Sequence, residues 1–290
     1  MRTSRSPVSL DTGWLLLLPA LALLMGVLFV PLFQSFWRSI SEPTWTTANY
    51  ATLFTDGVTM KILGRTAVSA AIVTVVAFAL GYPYAYLMTR VGPVARSVLM
   101  TIVLIPFWTS ALARNFGWLV LIYKGGPIEQ LLSLIGLGHV VLYGTVAGVT
   151  LAMSQVMLPF MVLPLFSALG GIDRRLLLAA RGLGSPPIVA FWKIYWPLSR
   201  AGAVSGMILV FTLSLGFYVT PALLGSPQQS LIAQLLGTRT TELLDFAGAG
   251  ALGTLVLVVT LLLVAWANRV GGGINAVGAV AVGRAEAKHA

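Results

Sequence analysis

Long apolar runs separated by short polar or basic stretches set the pattern of this chain. Six stand out, at about 14–33, 67–88, 97–113, 141–166, 201–224 and 246–267. A hydrocarbon core of about 30 Å takes roughly 20 helical residues, so these lengths predict six membrane-spanning helices. Pro83, Pro106, Pro159 and Pro164 lie inside runs, where membrane helices tolerate proline. The stretch 131–137, beside Gly136 and Gly138, is too short to cross and predicts an interfacial helix. Trp37 and Trp45 follow the first run, where interfacial aromatics belong. That run has a charged start and Ala20-Leu21-Ala22, as a cleaved signal would. It exceeds the roughly 7–15 apolar residues of such signals, which predicts an uncleaved span.

Composition agrees with a membrane protein. Of the residues, 58% are hydrophobic and 9% charged, against roughly a quarter charged in soluble domains. The net charge of +10 would suggest nucleic acid in a soluble protein. In a membrane protein it reflects cations held on the cytoplasmic side, so lipid is expected as a partner and nucleic acid is not. Six spans put both termini on one side. Twelve of the 18 Lys and Arg share that side, among them Arg2, Arg5, Arg90, Arg96 and Arg269, against six opposite, among them Arg38, Arg65 and Arg114. The bias predicts cytoplasmic termini.

Several chemistries are excluded. There is no cysteine, hence no disulfide or thiolate site. His139 and His289 are the only histidines, too few and too far apart for a metal site of the usual spacing. None of Lys61, Lys124, Lys193 and Lys288 precedes Ser or Thr, so no P-loop is present and no bound cofactor is expected. All eight acids fall in tails or loops, leaving no intramembrane acid to couple transport to an ion.

The loop 173–200 is the informative polar stretch. It carries Arg174, Arg175, Arg181, Lys193 and Arg200. Residues 176–181 favour a helix, and Gly182 and Gly184 permit the left-handed backbone that ends one. Ser185 is placed to cap a second helix with Pro186 at its first position. Ile188, Phe191, Trp192 and Tyr195 fall at i, i+3, i+4 and i+7, one apolar stripe, and Pro197 breaks the pattern before the next run. The expected product is a short two-helix knob. An interfacial amphipathic hairpin is the plainer alternative.

The loop resembles the "EAA" loop of ABC importer permease subunits. That motif reads Glu-Ala-Ala, three residues, Gly, nine residues, Ile, one residue, Leu-Pro. Here Ala179, Ala180, Gly184, Ile194 and Pro197 stand at those spacings, with Leu178 in place of Glu and Trp196 in place of Leu. Further stretches resemble the spermidine/putrescine-type permeases. They are Leu80-Gly81-Tyr82-Pro83-Tyr84-Ala85, Ile105-Pro106-Phe107-Trp108-Thr109-Ser110 with Arg114, Leu158-Pro159-Phe160, and Phe217-Tyr218-Val219-Thr220-Pro221. The likeness runs over about 14–269.

The resemblance implies an all-α membrane protein of the type I ABC importer transmembrane fold, in a bacterial cytoplasmic membrane. Its parts would be a cytoplasmic tail (1–12), a first helix and external segment (13–60), a five-helix core (61–268) and a flexible tail (269–290) holding Gly271, Gly272 and Gly273. It further implies a second permease subunit, two ATPase subunits that use ATP and Mg, an external solute-binding protein, and alternating access. Ala179, Ala180, Gly184, Ile188, Phe191 and Trp192 become the ATPase-coupling candidates. Phe107, Trp108, Arg114, Phe217 and Tyr218 become candidates for the pathway. Aromatic faces attract ammonium groups, although for any single one helix packing or an interfacial belt is the favoured account. Arg114 either reaches to lipid headgroups or lines the path. A polyamine or related organic solute is implied by resemblance alone, since no span carries an acid. A self-sufficient carrier or channel is the alternative.

Overall fold

The computed structural model describes residues 10–42, 44–136 and 140–286. Arg2 and Arg5 of the basic tail, Leu137, Gly138, His139, Lys288 and His289 lie outside them. Every regular element among the described residues is helical. In chain order these are α1 (Leu10–Ser41), α2 (Ala48–Thr55), α3 (Gly57–Arg90), α4 (Pro93–Trp108), α5 (Ala111–Ile122), α6 (Pro127–Leu134), α7 (Val146–Gly170), α8 (Arg174–Gly182) and α9 (Pro187–Ala190). A π-helical segment (Phe191–Tyr195) leads into α10 (Trp196–Leu215). Then come α11 (Val219–Leu224), a 3₁₀ turn (Pro227–Gln229), α12 (Ile232–Thr241) and α13 (Phe246–Glu286).

Five helical stretches are long and apolar enough to cross a membrane: Leu18–Ser41, Gly57–Arg90, Val146–Gly170, Pro187–Leu215 and Phe246–Trp266. The third expected span differs. It is split after Trp108, and the two halves bend by 99°. Thr109 and Ser110 adopt extended ψ values of 142° and 133°. Pro106 supplies no N–H to the preceding turn. Element bounds fall elsewhere at three further places. The fifth span ends at Leu215, and Val219–Leu224 forms a separate helix. Leu10, Asp11 and Thr12 belong to α1 rather than to a tail. Gly271, Gly272 and Gly273 lie within α13.

The chain divides into two compact units. In the one formed by Met1–Gly57 and Leu236–Val258, the connection after α1 is pinned by hydrogen bonds. Asn49 Nδ2 donates to Ser39 O and Glu42 O, each at 2.9 Å, and Ser39 Oγ lies 2.7 Å from Tyr50 Oη. Gly250 lies so close to the Ser35 carbonyl that a Cβ would collide with it.

In the other unit, Val58–Leu235 with Val259–Ala290, the core is centred on α7. Met153, Met157, Met161 and Leu165 recur every fourth residue and are fully buried, which puts them on one face. Gly81 of α3 and Gly206 of α10 both close on Met161, and Gly202 of α10 lies against Ala168. Apolar side chains gain little by leaving lipid for one another, so close packing at small residues holds such helices together. The opposite face of α3, with Val68, Ile72, Val75 and Leu80, is exposed.

Candidate functional site

The loop after α7 folds as a helix, a tight turn and a second helix. Asp173 Oδ1 accepts from Arg175 N–H at 2.8 Å and opens α8. At its other end Gly184 has φ +81°, and Ser185 N–H donates to Ala180 O at 3.0 Å. This is a Schellman termination, in which the left-handed residue is glycine because a Cβ is penalised there. A Cβ on Gly184 would meet nothing within 4 Å. Within this subunit its requirement is therefore conformational.

The second helix departs from expectation in its cap and in its length. Pro186, not Ser185, is the N-cap, and Pro187 takes the first turn. Pro197 does not stop the helix. The preceding turn widens, with Trp196 N–H donating to Phe191 O, five residues back. An α-helical turn would drive the Pro197 ring into the carbonyl four residues before it, and the widening accommodates it. The result is one continuous helical stretch, Pro187–Leu215.

At 100° per residue the predicted stripe is about a quarter-turn wide, and the structure divides it lengthwise. Tyr195 is buried and Phe191 packs on the core, whereas Ile188 and Trp192 are 73% and 58% exposed. Ala180 likewise faces in and Ala179 out. Leu178, at the motif's Glu position, and Leu183 extend the exposed apolar edge, at 64% and 89%.

The inward edge meets a set of residues that the sequence reading did not single out. Phe78, Tyr82 and Tyr86 on α3 present an aromatic face at i, i+4 and i+8. Tyr86 lies edge-on to Tyr195 at 5.2 Å and to Phe191 at 6.1 Å, and Tyr82 contacts Phe191 at 6.1 Å and Trp196 at 5.5 Å. Tyr82 Oη is 2.8 Å from Ser199 Oγ. Arg90 stacks over Tyr86, with its guanidinium 4.8 Å from the ring centre, and donates to Tyr86 Oη. Each aromatic pair contributes about 0.5–1.5 kcal/mol beyond buried area. The knob is thus fastened to α3 along one side and bare on the other. The four-residue spacing on α3 was the available signal.

The pathway candidates lie at helix breaks. Phe107 packs edge-on against Phe160 of α7 at 5.0 Å, while Trp108 is 88% exposed. Phe217 and Tyr218 occupy the gap between α10 and α11, Phe217 against the core and Tyr218 exposed. No ring contact joins these two pairs among the described residues. Arg114 Nη1 donates to Pro106 O, capping the end of α4 across the break, where carbonyls lack helical partners. Four buried polar atoms sit near the breaks without a hydrogen-bond partner among the described residues: Arg114 Nε, Asn115 Oδ1, Ser214 Oγ and Thr220 Oγ1. Asn115 is turned this way because its Nδ2 donates to Ala111 O at 2.8 Å. The α11 helix packs on α5 and α7. No group of metal-ligating side chains occurs among the described residues.

Comparison with known proteins agrees with this architecture. Residues 78–271 match the family described as binding-protein-dependent transport system inner membrane component. The spermidine/putrescine transport system permease protein PotB of Haemophilus influenzae is 30% identical over 223 residues, 76% of this chain and 78% of that one. PotB of Escherichia coli K12 is 29% identical over 259 residues, covering 88% and 93%. Among solved structures, a bacterial ABC transporter that imports the acidic polysaccharide alginate superposes with a TM-score of 0.71. It is 19% identical and covers 91% of this chain and 97% of its own. The chain therefore belongs to the binding-protein-dependent transport system inner membrane components, as a permease subunit of an ABC importer.

Proposed function

We propose that this subunit forms half of a translocation pathway for a small organic solute, a polyamine or related compound, and is driven by a separate ATPase through the loop 173–200. The carrying observation is the divided stripe: Ile188 and Trp192 stand bare while Phe191 and Tyr195 are fastened to α3. An exposed apolar edge with a stiff glycine-terminated turn suits insertion into a groove of a partner. Leu178 makes that contact apolar where the motif has a carboxylate. In this reading the loop and both termini are cytoplasmic, a second permease completes the pathway, two ATPase subunits bind ATP and Mg, and an external binding protein delivers the solute. The solute class is supported by the PotB relatives alone.

The test is purification from the native membrane in mild detergent, followed by reconstitution and ATP-dependent uptake of labelled putrescine and spermidine. Co-purification of an ATPase and a second permease, with uptake of either amine, is expected. A chain that transports alone on an ion gradient would overturn the coupling role. Uptake confined to anionic or sugar solutes would overturn the amine assignment.

A further inference from the structure

Behind the knob lies a cavity of about 110 Å³ that the proposed transport cycle does not use. The ends of three long helices and the loop itself wall it. Thr89 and Arg90 come from the end of α3, Arg96 from the start of α4, Phe166, Leu169 and Gly170 from the end of α7, with Ile172 and Tyr195 closing the loop side. Its polar side chains are two guanidiniums and two hydroxyls, and no carboxylate lines it.

The hydroxyls are engaged, Thr89 Oγ1 donating to Tyr86 O at 2.7 Å and lying 3.5 Å from Tyr195 Oη, whereas among the described residues the guanidiniums keep most of their donors. A guanidinium carries five N–H groups. Arg96 spends two, Nε to Met88 O at 3.2 Å and Nη2 to Val91 O at 3.5 Å, while Arg90 spends one on Tyr86 Oη. Asp173, the closest acid along the loop, has Oδ1 engaged by Arg175 N–H. Two cations therefore face one small cavity with neutral partners only.

We infer that this cavity binds a phosphate group, held between Arg90 and Arg96. Arginine suits it because the planar fork engages phosphate oxygens in pairs. The site lies where α3, α4 and α7 end together, with Phe166, Leu169 and Ile172 beside it. Basic pockets between spanning helices at that level take anionic lipid headgroups, so a headgroup phosphate is favoured over free phosphate. Only the choice of leaflet rests on the orientation proposed above. Because Tyr195 belongs to the loop 173–200, Ile172 directly precedes it and the arginines belong to α3 and α4, an occupant ties the knob to the spans and makes its rigidity depend on lipid.

The test uses the full chain in nanodiscs of phosphatidylcholine, alone or mixed equally with phosphatidylglycerol, and in detergent with inorganic phosphate. Thermal unfolding and the lipid retained in native mass spectrometry are read. Phosphatidylglycerol should raise the midpoint and be retained, with Arg90→Gln and Arg96→Gln each weakening retention by about fivefold. Stabilisation by inorganic phosphate with no preference for phosphatidylglycerol keeps the site and reassigns its source. Equal retention by wild type and Arg90→Gln overturns it. Arg90 is exposed and leaves the Arg96 caps on α3 intact, so that variant stays informative should Arg96→Gln fail to fold. Binding is read without ATPase or transport, so its failure is distinguishable from failure of the transport reading.

Discussion

Replacing Gly202 by alanine puts one methyl group into the tightest approach between α10 and α7. The added Cβ would overlap the Cβ of Ala168 and sit 3.0 Å from Pro164 O and 3.7 Å from Ala168 Cα. Ordinary carbon–carbon contact is about 3.5–4.0 Å, and the obstructing atoms are backbone or fixed directly to it. No side chain can swing away, so α10 must back off along the whole contact with α7. Overpacking of this kind costs about 1–3 kcal/mol, and the upper end applies because the obstruction is rigid. Alanine recovers about 1 kcal/mol through helix propensity, which leaves a net loss of about 2 kcal/mol. Gly64, where an added Cβ meets nothing within 4 Å, is the control, and Gly64→Ala should be neutral or stabilising. Reversible unfolding in mixed micelles of increasing SDS content, followed by Trp fluorescence, reads both. Ala168→Gly should rescue Gly202→Ala in the double variant, giving a coupling energy of the sign expected for touching residues. Equal stability of Gly202→Ala and Gly64→Ala, or a double variant no better than the single, would refute the packing account.

Three further outcomes are expected. Gly184→Leu should abolish uptake while leaving membrane insertion unchanged, because a left-handed residue other than glycine costs about 1–2 kcal/mol; Gly184→Asn should retain most uptake. Ile188→Ser with Trp192→Ala should release the ATPase during detergent purification while helical content by circular dichroism is kept, since both side chains are exposed in the isolated chain. Arg114→Met removes the charged donor to Pro106 O and should lower the unfolding midpoint by the equivalent of about 1.5–3 kcal/mol. Arg114→Lys should recover part of that loss.

The second and fourth spans were legible because 67–88 and 141–166 are continuous apolar runs with lengths set by the bilayer. The third was not. Its break depends on the dihedral angles of two small polar residues and on a guanidinium reaching back eight positions to Pro106, none of which changes hydropathy. Likewise 201–224 reads as one run although Gly216 ends the helix. Within the loop, Gly184 announced the turn because few other residues tolerate that φ. The stripe predicted an apolar face correctly but not which half of it is covered, since that depends on Tyr82 and Tyr86 about a hundred positions earlier. Pro197 was read as a stop because a regular α-helix has no room for it, and the widened turn evades that rule.

The absence of a joint between knob and span has a mechanical meaning. Pro187–Leu215 spans 29 residues, a rod of about 44 Å at 1.5 Å per residue. Pivoting about its middle, such a rod moves each end by about 2 Å for every 5° of tilt. About that pivot Trp192 and Ser214, the latter beside the second helix break, move in opposite directions by about 1.2 Å and 1.7 Å for the same tilt. The widened turn at Phe191–Tyr195 makes this a beam cast in one piece, and the aromatic rings of α3 grip its knob end.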